Sequence, residues 1–62
     1  MNIKELRNAA GYTQRGLAEK VGVNISQIQK IESGEIKLEN ISLKNGVALA
    51  KALGVSAESL LE

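Results

Sequence analysis

The chain contains no cysteine, no histidine and no proline, and Tyr12 is its only aromatic residue. Without cysteine and histidine, disulfide staples and Cys/His zinc sites are excluded as supports for a small domain. The same absences leave no histidine as a general base and no cysteine as a nucleophile. No acidic cluster has metal-ligand spacing, so no enzyme is expected and no cofactor is assigned. With 62 residues, the chain also leaves little room for a ligand pocket of about 300 Å³. No apolar run approaches the roughly 18–20 residues of a membrane span, and no charged-then-apolar signal follows Met1, so a cytoplasmic protein is expected. A strong basic excess is missing too, since the net charge is +1.

Apolar residues make up 44% of the chain, which is a globular composition rather than a disordered one. A single domain spanning 1–62 is expected, and one this small buries only about 60% of the surface its unfolded chain exposes. Charge is unevenly distributed. Residues 1–22 set Lys4, Arg7, Arg15 and Lys20 against Glu5 and Glu19, while residues 35–62 set three lysines against four glutamates.

Caps and glycines divide the chain into five short helices. Asn2, with Glu5 three residues on, reads as a capping box. Ile3, Leu6 and Ala10 follow on one face, and Gly11 stops the run. Thr13 caps a second helix with the stripe Leu17, Ala18 and Val21, ending at Gly22. Asn24 caps a third carrying Ile25, Ile28 and Ile31, closed by Ser33-Gly34. The segment Glu35 to Ile41 alternates apolar and charged residues and is read as a loop with Ile36 or Leu38 turned inward. Ser42 caps a fourth helix carrying Leu43, Val47, Ala50 and Leu53, closed by Gly54. Ser56 caps a fifth, with Val55 and Leu60 spaced as a hydrophobic staple. The fold class is all-α.

The spacing of the second and third helices is the informative feature. Three residues join them, so they must cross steeply, which requires a small residue at their approach and a left-handed residue in the turn. Ala18 and Gly22 meet those demands, and Ile28 and Ile31 lock the third helix from inside. The motif runs over about residues 13–33. The outer face of the third helix carries Ser26, Gln29, Lys30 and Ser33, with Gln27 to one side. Amides, hydroxyls and a cation suit the major groove, where glutamine pairs with adenine and lysine with guanine.

Through "YTQRGLAEKVGVNISQIQKIESG" and again in "LAKALGVSAESLL", the sequence resembles the Cro and phage-repressor (XRE-like) helix-turn-helix proteins. The resemblance covers about Ile3 to Leu61. It implies a compact five-helix, lambda-repressor-like bundle that binds double-stranded DNA in a sequence-specific way, as a transcriptional regulator of repressor type. It implies that Ile25, Ser26 and Lys30 face bases, Gln27 bases or phosphate, and that Gln14 binds a phosphate at the start of the second helix. Ser33, Lys37 and Lys44 are further candidates for backbone contacts, and Arg15 and Asn24 complete the DNA-facing set. The family also implies a structural ion pair between Arg7 and Glu32. The chain departs from the pattern at Gly16, where an acidic or amide residue is common, and in its longer, proline-free 35–41 connection.

A homodimer on half-sites about 34 Å apart is expected, with Val55, Leu60 and Leu61 as candidate interface residues, located on the nucleoid when bound. The competing account is a protein-interaction or antitoxin-type module that keeps the fold with little DNA reading.

Overall fold

In the computed structural model, which describes residues 2–61, five polar side chains start five helices. Asn2 accepts from the Glu5 N–H and opens α1 (Ile3–Ala9). Thr13 accepts from Gly16 and opens α2 (Gln14–Val21). Asn24 accepts from Gln27 and opens α3 (Ile25–Ser33). Ser42 and Ser56 do the same for α4 (Leu43–Leu53) and α5 (Ala57–Leu60). Each cap satisfies an N–H that the first helical turn would otherwise leave without a partner. No strand occurs among the described residues.

Gly22 makes the bend between α2 and α3. Its φ is +88°, a left-handed conformation that costs an ordinary L-residue about 1–2 kcal/mol. The amides of Gly22 and Val23 both return to the Ala18 carbonyl, at 2.9 and 3.0 Å. These two bonds consume the open end of α2 and release the chain towards Asn24. The turn is therefore fixed by backbone hydrogen bonds as well as by packing.

The core forms where α2 is sandwiched by α3 and α4, with α1 resting on α3 and α5 on α4. Leu17, Ile28 and Leu49, one from each of the three central helices, are fully buried. Ala18, Ile31, Ala50 and Leu53 surround them, and Ile3 and Leu60 close the two sides. Each large aliphatic side chain in this cluster contributes roughly 1.5–3 kcal/mol through burial.

Three sequence expectations are corrected. In α4 the buried stripe is Leu49, Ala50 and Leu53, whereas Leu43 is 82% exposed and Val47 lies at the surface. Positions 46, 49, 50 and 53 share one face of a 3.6-residue helix. Val47 projects beside that face, and Leu43 sits in the first turn beyond the edge of the core. The 35–41 connection is not wholly irregular, because Leu38–Asn40 forms a 3-10 turn. Ile36 and Leu38 both lean on the core, and Ile41 joins them. Leu60, named as an interface residue, is only 4% exposed. As the fourth residue of α5 it turns back into the core rather than outward.

Candidate nucleic-acid interface

The outer face of α3 follows from what its inner face must bury. Ile28 and Ile31 are held in the core and Ile25 is half-buried at its edge. The helical period therefore turns Ser26, Gln29, Lys30 and Ser33 to solvent, with Gln27 half-buried at the margin. Asn24 and Arg15 are exposed, Gln14 is half-buried at the first position of α2, and Lys37 and Lys44 are exposed beyond α3. The turn at Gly22 brings the start of α2 and the face of α3 together. Gln29 Nε2 reaches Gln14 Oε1 at 3.4 Å across the two helices.

Gln14 is also held from below. Its Nε2 donates to Glu32 Oε1 at 3.0 Å, and Glu32 in turn binds Arg7. Arg7 Nε donates to Glu32 Oε2 at 2.6 Å, and its Nη2 donates to Oε1 at 3.3 Å. Both side chains are buried, at 9% and 6% exposure. The remaining guanidinium nitrogen, Nη1, donates to the Tyr12 carbonyl at 3.0 Å and to Asn8 Oδ1 at 3.2 Å. The guanidinium thus ties α1 to α3 and to the loop before α2. No buried polar side-chain atom lacks a partner among the described residues.

Burial acts to raise the Glu32 carboxyl pKa. Hydrogen bonds from Arg7 and Gln14, with the charges of Arg7 and Lys4, outweigh it and hold the pKa below its ordinary value. Glu32 therefore stays ionised at neutral pH and orients the Gln14 amide. That amide sits in the first turn of α2, where free N–H groups favour an anion.

At the far end of α3 the geometry is less open. Ser33 Oγ donates to the Lys30 carbonyl at 3.1 Å and accepts from the Glu35 amide at 3.4 Å. Its hydroxyl is engaged at the carbonyl end of the helix, where the helix dipole disfavours an anion. Lys37 precedes the 3-10 turn, with Glu39 inside that turn. The polar centre of the surface is thus the α2 start together with the first two turns of α3.

The cross-helix amide contact of Gln29 has no local sequence signal, because its partner lies 15 residues away. Its place on the outer face was readable from the helical period, but its role beside Gln14 was not.

Leu38, Ile41, Val47 and Leu61, from the 3-10 turn, α4 and the residues that flank the turn and α5, help line an apolar groove of about 230 Å³. Leu61 is 60% exposed there and Val55 is half-buried. No helix among the described residues is long and apolar enough to cross a membrane.

Residues 3–60 match the helix-turn-helix family HTH_3. The fold is similar to the crystal structure of the restriction-modification controller protein C.AhdI from Aeromonas hydrophila, with 36% sequence identity and a TM-score of 0.81. That similarity covers 95% of this chain and 85% of the controller protein's chain. No curated protein matches the sequence. On its helix-turn-helix geometry and these matches, the chain belongs to the XRE-type helix-turn-helix family of DNA-binding transcription regulators.

Proposed function

We propose that the chain is a single domain that reads double-stranded DNA in a sequence-specific way by placing α3 in the major groove, and that it acts as a repressor. The observation that supports this most is the two-sided character of α3. Its inner isoleucines are fixed in the core, while Ser26, Gln29 and Lys30 face outward beside the exposed start of α2. Ile25, Ser26, Gln27 and Lys30 would face bases. Ile25 offers only apolar contact, suited to a thymine methyl, and Lys30 suits guanine O6 and N7. Gln14, oriented by Glu32, would donate to a phosphate, with Arg15, Asn24 and Lys37 positioning the backbone. Ser33 would contribute least, since its hydroxyl is already engaged.

Occupying an operator requires no surface beyond this one, which favours repression by occlusion. The similarity to a restriction-modification controller protein supports a regulatory role. The working location is the cytoplasm, on the nucleoid when DNA is bound.

One module makes few contacts, so we assign useful affinity to a homodimer on half-sites about 34 Å apart. The face that suits it carries Leu43, Val47 and Leu61, with Leu60 beneath as core, while Val55 is half-buried against the core. A protein-interaction module that does not read DNA would draw on the same apolar groove. A salt series separates the two accounts. A DNA reader loses affinity with a log–log slope of about −0.9 per phosphate neutralised. Lys30→Ala should weaken a selected duplex more than a scrambled one, whereas Arg15→Ala should weaken both alike. Binding that is absent at low salt would refute the DNA reading.

A further inference from the structure

Asn24 does more than cap α3. Its Oδ1 accepts from the Gln27 backbone N–H at 3.1 Å. A backbone amide only donates, so the oxygen of the Asn24 carboxamide must face the helix start. Ser26 Oγ lies 2.7 Å from that same oxygen. A carboxamide oxygen only accepts, so the single hydroxyl proton of Ser26 is committed to Asn24. The distance is typical of a well-formed O–H···O bond. Ser26 is itself exposed, so what it offers outward from the first turn of α3 is its lone pairs.

In the major groove this polarity decides what a serine can recognise. The amino groups of adenine N6 and cytosine N4 donate, while purine N7, guanine O6 and thymine O4 only accept. A freely rotating hydroxyl would serve either set. We infer that Asn24 is a positioning residue that fixes Ser26 as a hydrogen-bond acceptor, so that Ser26 reads an exocyclic amino group of adenine or cytosine and not a ring N7 or a carbonyl oxygen. The inference rests on the proposed entry of α3 into the major groove. One turn later Lys30, which has donors and no acceptor, has the opposite preference. The helix thus carries one position for amino groups and one for guanine acceptors.

The test begins with a bound sequence selected from randomised duplexes by the wild-type chain. Each adenine or cytosine in it is replaced singly by purine or pyrimidin-2-one, which lack the amino group. Each purine is separately replaced by its 7-deaza counterpart. Affinities are then compared for wild type and Ser26→Ala. On the parent duplex, Ser26→Ala should weaken binding roughly three- to tenfold, the value of one hydrogen bond. On one duplex lacking an amino group it should have no effect, and on every 7-deaza duplex its effect should persist in full. Asn24→Asp keeps the cap and the acceptor, so it should retain this coupling at lower overall affinity. Asn24→Ala frees the hydroxyl to donate as well as accept, so it should keep the coupling but relax the discrimination against guanine in place of that adenine, or thymine in place of that cytosine, which loss of a purely structural cap would not do. Coupling to a 7-deaza position, or additivity everywhere, overturns the inference while leaving DNA reading intact. Failure to enrich any sequence overturns the reading itself and the inference with it.

Discussion

Replacing Glu32 by glutamine removes one charge from a site built around two. The Arg7 guanidinium would keep its Tyr12 and Asn8 acceptors but lose its counter-ion, with both side chains less than a tenth exposed. A glutamine amide can offer Arg7 or Gln14 an oxygen, but its NH₂ must then face another donor. Orphaning a buried charge typically costs about 3–5 kcal/mol. We take about 3 kcal/mol, because Arg7 retains neutral acceptors. A domain of 62 residues has a total stability of about 3–9 kcal/mol, so the loss removes at least about a third of it. With a urea m-value of about 1 kcal/mol/M, the midpoint should fall by about 3 M, followed by far-UV circular dichroism. Arg7→Met combined with Glu32→Leu removes both charges and should recover at least half of the loss. A Glu32→Gln midpoint within about 0.5 M of wild type would refute the assignment of the pair as a structural tie.

The remaining predictions concern pH, the first turn of α2 and the apolar face. The folded Glu32 pKa lies below its ordinary value of 4.5, so the stability it contributes is fully present above that value and is lost as pH falls through the folded pKa. Acid titration of the melting temperature should show this loss in wild type and a smaller one in Glu32→Gln. Gly16→Ala should raise the melting temperature, but by less than the roughly 1 kcal/mol expected of a mid-helix glycine. A Cβ there would lie 3.1 Å from Thr13 Oγ1, so the capping hydroxyl must shift slightly. A lowered melting temperature would mean that the cap cannot yield. Leu43→Glu and Leu61→Glu replace exposed groove residues. Under the proposed homodimer, sedimentation should show wild type as a dimer and either variant as a monomer at the same concentration, with the melt little changed, and an unchanged sedimentation coefficient would remove this face from the interface.

Local chemistry was the most legible feature of the fold. Asn2, Thr13, Asn24, Ser42 and Ser56 each start the helix that their side chains suit. Gly22, Gly34 and Gly54 end theirs in the left-handed conformation. Both signals act within a few residues, so the sequence carries them directly. The α4 face was harder to read because "LKNGVALAKAL" is apolar on several sides, and periodicity cannot choose Leu49 over Val47 without the neighbouring helices. The 3-10 turn at Leu38–Asn40 is too short to leave a helical period. At the candidate surface, the outward α3 face followed from the burial of Ile28 and Ile31. The link from Glu32 through Gln14 to Gln29 did not, since it joins side chains 18 and 15 residues apart. Whether an exposed serine donates or accepts likewise depends on a neighbour's orientation, which residue types alone do not record.

Contact of α3 and the start of α2 with DNA can be observed residue by residue, by titrating ¹⁵N-labelled protein with a generic duplex at low and then moderate salt. Non-specific binding uses the same electrostatic contacts and should be reversed by salt. Shifts should concentrate at Gln14, at residues 22–30 and at the Gln29 side-chain amide, fading as salt rises. No shifts at low salt, or shifts confined to Leu43, Val47 and the α5 end, would contradict a DNA-reading face and point to a protein partner on the apolar groove.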